Sequence, residues 1–252
     1  ASPSHRFSAN STPNAVATHL PPLKRRNSGN RCFWFTDTAT TEIYTIGANA
    51  THVHAIGPGK ADFLLWGAIQ TGDWLSQDQD SWAYAVEMGY QLPNVWSAPW
   101  LRAGLNQGSG DSDPTDGDHS TFFQILPTAR AYAMFPFYNM MNNRDLFAQL
   151  ILKPHAMVSM QSTLHWLRLS DRDDFLYGGG GATSNSVFGF TGTASGDRTG
   201  IGTMFDTSLT VNPVKWLALN VYYAHVFGSG MTGQTFQDED ADYAFAEATI
   251  SF

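Results

Sequence analysis

The sequence has few charged residues and almost no cysteine. Asp, Glu, Lys and Arg make up 14% of its 252 residues, against roughly 25% in soluble domains. The single cysteine, Cys32, excludes an intrachain disulfide, a thiolate metal cluster and a haem-attachment motif. The net charge is -8, and because phosphate backbones bind to Lys/Arg-rich surfaces, nucleic acid is not expected as a partner.

Long apolar runs are also missing. The longest, Phe63 to Ile69, has seven residues, whereas a membrane-spanning helix needs about 20. Aromatic residues are nevertheless frequent, at 13%. Such a chain can cross a membrane only as a closed β-barrel, because only helices and closed barrels satisfy every backbone polar group in lipid. Ala1 to Asn10 lacks the apolar core of a secretory signal, which predicts a processed or incomplete chain.

Alternation of apolar and polar residues predicts an all-β, antiparallel transmembrane β-barrel. In Ser81 to Leu92 the even positions are mostly large and apolar, while the odd positions are polar or small. A period of two means a strand with one lipid face and one polar face. Similar patterns predict about nine or ten strands in all. The other segments are Glu42–Ile56, Asp62–Gly72, Val95–Gln107, Asp145–Leu152, Ala156–Leu169, Thr203–Asn212, Trp216–Phe227 and Asp242–Phe252.

The connections between these segments alternate in length. Short turns are predicted at 57–60, 93–94, 153–155 and 212–215, and long polar loops at 73–80, 108–143, 171–200 and 228–241. Short periplasmic turns opposite long extracellular loops are typical of outer-membrane barrels. The C-terminal aromatic residue, Phe252, is expected to act as an assembly signal and to place the C-terminus in the periplasm. We therefore predict a barrel domain over 41–252, preceded by a loop segment at 1–40 in which only Arg31 to Thr36 resembles a strand.

Several long, unusual strings stand within these strands and loops. They are PWLRAG (99–104), GSGD (108–111), TFFQILPT (121–128), FPFYNMMN (135–142) and HWLRLS (165–170). Over roughly Ile43 to Phe252 they make the chain resemble the alginate-export family of bacterial outer-membrane β-barrels. Strings of this length are far more specific than a short catalytic pattern.

The resemblance implies a monomeric pore of roughly eighteen strands, lined by arginines and suited to a polyanionic polysaccharide. It does not fix the substrate. Met134 stands where the family is expected to carry Arg, which argues against an arginine-lined constriction there. The predicted strands are about half of eighteen, so the chain looks like the C-terminal half of such a barrel. Missing strands or other subunits would complete the pore, because barrels of about 8 strands are filled by side chains.

Arg102 and Glu87 are the first candidate pore residues. Arg102 shares its parity with Trp100 and Gly104, opposite Leu101 and Ala103, and is therefore predicted to face the lumen. There it either holds anionic substrates or forms a structural pair with an acidic residue such as Glu87.

Three further arginines are candidate pore or substrate residues. Arg130 and Arg144 flank the loop 108–143, whose segment Phe135 to Phe137 is too apolar to lie free in water. We predict that this loop folds inward as a plug or constriction, the alternative being an outer cap. Arg168 lies on the lipid parity near Trp166, so it is either a pore residue carried over from the resemblance or a residue that binds lipid headgroups.

Acidic residues gather in the long loops. Asp111, Asp113, Asp116 and Asp118 are either solvated loop tips or a group that binds Ca²⁺ or bridges to lipopolysaccharide through divalent cations. No other cofactor is predicted. His52 and His54 share a strand face, yet no third metal ligand accompanies them.

No enzymatic activity is predicted. His165 and His225 lie near strand ends without a nucleophile motif beside them. The leading hypothesis is a porin-like channel of the bacterial outer membrane that passes anionic solutes or polysaccharide, with outer-membrane lipid and lipopolysaccharide as its surroundings. The alternative is a structural barrel that scaffolds or sheathes a surface or electron-transfer assembly.

Overall fold

A computed structural model describes residues 32–37, 41–75, 77–124, 132–179, 190–236 and 240–251. These residues form thirteen strands and one short helix. The strands are β1 (Cys32–Asp37), β2 (Thr41–Ile56), β3 (Gly59–Trp74), β4 (Gln77–Gln91), β5 (Trp100–Gly108), β6 (Asp118–His119), β7 (Asn143–His155), β8 (Val158–Leu169), β9 (Phe175–Gly179), β10 (Phe190–Ala194), β11 (Gly200–Val214), β12 (Leu217–Gly228) and β13 (Ala241–Ile250), and the helix is α1 (Thr232–Thr235).

One large antiparallel sheet contains most of the strands. Its order is β1-β2-β3-β4-β5-β7-β8-β11-β12-β13, so strands that follow one another along the chain are neighbours, apart from short strands in the loops. Among those, β6 pairs in parallel with β4, and β9 pairs with β10 in a separate hairpin. The predicted all-β, antiparallel fold is confirmed. Among the ranges described above, no helix is long and apolar enough to span a membrane.

The two faces of the sheet differ as the alternation predicted. In β4 the odd side chains, from Gln79 to Glu87, are buried, while Trp82 and Met88 are 41% and 55% exposed. Trp166 and Tyr223, at 41% and 42% exposed, lie on the same outer face. The outer face is therefore apolar and the inner face largely polar, which is the arrangement that a strand between lipid and a polar interior requires.

The two ends of the sheet carry different connections. At one end, which we call the turn end, β2–β3, β4–β5, β7–β8 and β11–β12 are joined by short segments. At the other, which we call the loop end, 109–142, 170–199 and 229–240 form long connections. The predicted long loop at 73–80 is wrong. Polar residues on either side of Leu75 continue the ladder, with Trp74 opposite Gln77, so β3 and β4 simply extend further.

The start of the predicted strand Val95–Gln107 is also wrong. Residues 92–99 form a turn closed by a hydrogen bond from the Leu92 amide to the Pro99 carbonyl (2.9 Å). Ser97 and Ala98 have positive φ angles of 67° and 41°, a region that a strand residue does not adopt. Trp96 is consequently 81% exposed in the turn instead of sharing a strand face with Arg102.

The loop between β5 and β7 turns back onto the inner face. We call residues 132–142 the plug segment. Its Phe135 and Tyr138 are 9% and 3% exposed and belong to one apolar cluster with inner-face residues of β8, β11 and β12. Those residues are Leu167, Leu169, Met204, Tyr222, Ala224 and Val226, together with Ile201. The prediction of an inward-folding loop is confirmed, and it explains why apolar residues occupy both faces of β8 near Leu167.

Candidate functional site

A cavity of about 370 Å³ lies on the inner face beside the plug segment. Strands β3, β4, β5, β7 and β8 supply its wall, and the plug segment closes one side with Tyr132. The lining residues are Leu64, Trp66, Glu87, Arg102, Tyr132, Phe147, Gln149 and His165. At Gly104 a Cβ atom would lie 2.8 Å from the Phe147 ring and 2.9 Å from Glu87 Cγ. Glycine at this position therefore leaves room for both side chains to pack over β5.

Arg102 and Glu87 form the charged part of the cavity wall. Arg102 is paired with Glu87, and its Nη1 also donates to Gln149 Oε1 (3.4 Å). The guanidinium lies 4.9 Å from the ring centroid of Trp100, a distance suited to cation–π attraction. Arg102 Nε is buried and has no hydrogen-bond partner within the described part of the chain. The guanidinium thus faces the interior, as predicted. It already forms an ion pair with one carboxylate, and its Nε–H can still donate a hydrogen bond.

Tyr132 connects the plug segment to this pair. Its hydroxyl donates to Glu87 Oε1 (3.1 Å) and accepts from Trp66 Nε1 (2.7 Å). Burial, reinforced by the charge of Glu87, raises the pKa of Tyr132 well above its usual value. The hydroxyl therefore stays protonated and continues to donate at any physiological pH.

A second polar cluster lies deeper, between the cavity and the loop end. His165 Nδ1 is 2.8 Å from Asp145 Oδ2, and His165 Nε2 is 3.9 Å from Asp206 Oδ2. The plug segment joins this cluster through Tyr138, whose hydroxyl donates to Asp145 Oδ2 (2.6 Å). On the opposite side, Tyr222 donates to Asp206 Oδ2 (2.9 Å). These five residues are 0% to 3% exposed, so the cluster joins four strands and the plug segment away from water.

The polar cluster gives His165 a structural position. Burial and the neighbouring Asp145 carboxylate raise the pKa of Tyr138 far above its usual value, which keeps its hydroxyl a donor. His225, the other candidate base, lies on the outer-face parity of β12, with Nδ1 2.9 Å from Asp242. Sequence reasoning missed Asp145, Asp206 and Tyr138. The sequence does show Asp145 and Asp206 as polar residues on the inner parity of their strands. Only the register of β7, β8 and β11 shows that they lie close to His165.

Two of the remaining predicted arginines lie away from the cavity. Arg144 and Arg168 are exposed, and they share the outer parity of Leu146 and Trp166. Strand β7 begins one residue before Arg144, so alternation from Asp145 necessarily points Arg144 outward. Both residues therefore lie away from the inner face. Arg130 falls outside the described residues.

The loop acids mostly satisfy their own backbone. Asp113 accepts from the Thr115 amide (3.1 Å) and Asp116 from the Asp118 amide (2.9 Å), and these carboxylates are exposed. Asp111 is 5% exposed, and burial raises its pKa. Within the described ranges, no three His, Cys, Asp or Glu side chains are placed to hold a metal ion. His52 and His54 stack on the outer face at 6.2 Å without a third ligand there. Loop Ca²⁺ stays a prediction.

A comparison with protein families gives one match. The family model described as "Alginate export" matches residues 10–247. The match begins well before Ile43, the start of the resemblance described under the sequence analysis. It therefore includes the segment that precedes β2. A comparison with curated proteins gives no significant match.

Proposed function

The chain belongs to the alginate export family, and on that premise we propose that it lines an outer-membrane channel for anionic polysaccharide or smaller anionic solutes. The family is one of outer-membrane β-barrels that transport polysaccharide, and the sheet described above has the apolar outer face and polar inner face that such a barrel needs. The single observation that carries the proposal is Arg102, a guanidinium turned into an inner cavity that the plug segment leaves unfilled.

The wall around Arg102 suits a sugar acid. The guanidinium offers a rigid fork for a carboxylate, and its Nε donor has no partner among the described residues. Trp66 and Tyr132 line the same cavity, and aromatic rings provide flat apolar surfaces beside those polar groups. Glu87 is the competitor, because a substrate carboxylate must displace or share its contact with Arg102.

That competition provides the test. In planar bilayers at low salt we expect the protein to pass anions in preference to cations, because fixed charges in a narrow, low-dielectric pore are weakly screened. Glu87→Gln should strengthen the preference by freeing Arg102. Arg102→Glu should weaken or reverse it. The double variant Glu87→Gln/Arg102→Gln removes both charges, and its preference should lie between those of the two single variants.

The control is Arg172→Gln, which removes an exposed loop arginine that is 3.9 Å from Asp173. It should leave the reversal potential unchanged. Cation preference in the unmodified protein would contradict the proposal.

One observation favours the alternative, a barrel that scaffolds or sheathes another component. The plug segment fills the loop end of the inner face with buried apolar side chains, as a closed structural barrel would require. That function predicts no conductance from the folded, inserted protein, whereas a channel that needs a partner to open should conduct once the plug segment is removed.

A further inference from the structure

Two arginines stand directly opposite each other on the outer face. Arg144 of β7 and Arg168 of β8 are Cα partners in the antiparallel ladder, and side chains in this relation have Cβ atoms about 4.5 to 5.5 Å apart. Both side chains are exposed, and each lies one residue from the loop end of its strand. Two positive charges are thus held close together at a fixed height on the sheet.

Nothing in the described part of the chain neutralises this pair. Arg168 Nη2 donates to the neutral Thr199 Oγ1 (3.1 Å), and no described carboxylate forms an ion pair with Arg144 or Arg168. On its other side, Arg168 faces Gly200, which has no side chain to cover it. Like charges directly opposite each other destabilise a strand pair, so an anion bound between them would relieve a cost that the fold otherwise bears.

The position of the pair indicates what kind of anion reaches it. The next outward pair toward the turn end is Leu146 opposite Trp166, with 52% and 41% of these residues exposed. The arginines therefore stand at the polar edge of the apolar outer surface, where headgroups meet acyl chains. A Trp beside this boundary is typical of the interfacial aromatic belt.

Another part of the same edge has the opposite charge. On β3 and β4 the exposed outer residues at the loop end include Asp73, Asp78 and Asp80, and Asp73 and Asp78 are direct partners. An anionic group is repelled there and attracted at β7–β8. The outer edge thus has a preferred place for an anion.

We propose that Arg144 and Arg168 together bind one phosphate group of a phosphorylated lipid headgroup in the leaflet around the loop end. Two guanidinium forks match phosphate oxygens in geometry as well as charge, and the apolar pair beneath them receives the attached acyl chains. The inference concerns the outer face and is independent of what passes through the interior.

The experiment measures lipid binding by the purified full chain in detergent, using native mass spectrometry. The probes are a bisphosphorylated lipid A and the same lipid with its phosphates removed. The unmodified protein should bind the phosphorylated form more tightly. Arg144→Gln/Arg168→Gln should weaken that binding by about tenfold or more, the loss expected for charge-assisted contacts, and should leave the dephosphorylated lipid unaffected.

Two matched variants separate this site from general charge. Arg172→Gln removes an exposed loop arginine and should not change binding. Arg144→Lys/Arg168→Lys keeps both charges but loses the planar forks, and should fall between the unmodified protein and the glutamine variant. Because the substituted side chains are exposed, all variants should keep heat-modifiable migration on gels. Equal binding by the unmodified protein and the folded glutamine variant would overturn the proposal.

Inorganic phosphate distinguishes the two sources of the same chemical group. If the lipid is the ligand, millimolar phosphate should compete weakly, because it lacks the acyl chains that contact Leu146 and Trp166. Phosphate that binds the unmodified protein as tightly as the lipid does, and loses affinity in the glutamine variant, would show a free-anion site and overturn the assignment to a headgroup.

Discussion

The inner face of the sheet is covered differently in its two halves. Near the loop end, Met204, Ala224 and Val226 are 0% to 2% exposed because the plug segment lies on them. Toward the turn end, the same face of β12 and β13 carries a half-buried Asn220 opposite an exposed Glu247. The strands and their alternation continue through both halves. A single pattern of residues therefore yields a packed inner face where a loop folds back and an open one where none of the described loop residues lies.

Removing the plug segment should produce the largest change, because it converts the packed half into the open one. Replacing residues 132–140 with a Gly-Ser linker should raise single-channel conductance several-fold, since side chains would give way to water. Replacing the exposed residues 112–117 in the same way is the control and should leave conductance unchanged. Unaltered conductance after plug replacement would mean that the plug segment does not restrict the passage of ions through the loop-end half.

The next largest effect is expected from the polar cluster that supports the packed half. His165→Leu removes the contact with Asp145 and leaves the buried carboxylates of Asp145 and Asp206 beside an apolar group. Removing the hydrogen-bond partner of a buried polar group costs about 1 to 3 kcal/mol, measurable as a lower urea midpoint for unfolding from lipid vesicles. In the open half, Asn220→Ala removes a hydrogen bond to Thr210 (2.8 Å) and should cost less than about 1 kcal/mol. Equal losses would contradict the distinction.

A similar or smaller loss of stability should follow from Gly108→Ala, at the last residue of β5, where the strand contacts the plug segment. A Cβ atom here would lie 1.8 Å from the Met140 carbonyl oxygen, so the plug segment must move away. Overpacking of this kind costs about 1 to 3 kcal/mol, which should appear as faster proteolysis within the plug segment. Gly178→Ala is the matched control, because no described atom beyond its chain neighbours lies within 4 Å of the added Cβ. Equal proteolysis of the two variants would show that the plug segment tolerates the added methyl group.

The last effect concerns pH. His119 stacks on Trp74 at 4.5 Å, its Nδ1 is 2.7 Å from Gln79 Oε1, and burial lowers its pKa from 6.5 to about 4. Because the folded pKa lies below the unfolded one, the contribution of this loop to stability is full above pH 6.5 and declines toward pH 4. The loss is at most about tenfold in equilibrium constant per pH unit.

Proteolysis of the loop at 109–124 measures this pH dependence. Cleavage should increase as the pH falls from 6.5 toward 4. His119→Gln should flatten that dependence, while His155→Gln, at the exposed turn end, should preserve it. The same slope in all three proteins would assign the pH effect to other groups.

Alternation predicted the strands and the direction of their faces, because a period of two is a local property of the chain. It was less reliable where strands end. Residues 77–80 are polar on both parities and were predicted as loop, yet they pair with β3. The predicted strand began at Asp145, whereas β7 begins at Asn143. Arg144 was therefore placed at the end of the loop, although it lies in the strand and points outward. Strand ends depend on backbone pairing beyond the apolar belt, which side-chain periodicity does not report.

The inner site was less predictable than the fold. Arg102 and Glu87 were found because both stand on the polar parity of regular strands, and both line the inner cavity. The cluster around His165 combines Asp145, Asp206 and Tyr138 from separate parts of the chain. Its assembly requires the register of three strands and the path of a nonperiodic loop. Neither can be read from a single sequence without the pairing.

The contacts of the plug segment also constrain the order in which the protein folds. Each long hairpin pairs residues that are close along the chain, whereas Tyr132 bonds to Trp66, 66 residues away, and the Met134 amide bonds to Tyr222, 88 residues away. Because distant contacts require costly loop closure before they form, we expect the hairpins to assemble before the plug segment docks. On this order, water leaves the loop-end half of the inner face only when the plug segment docks.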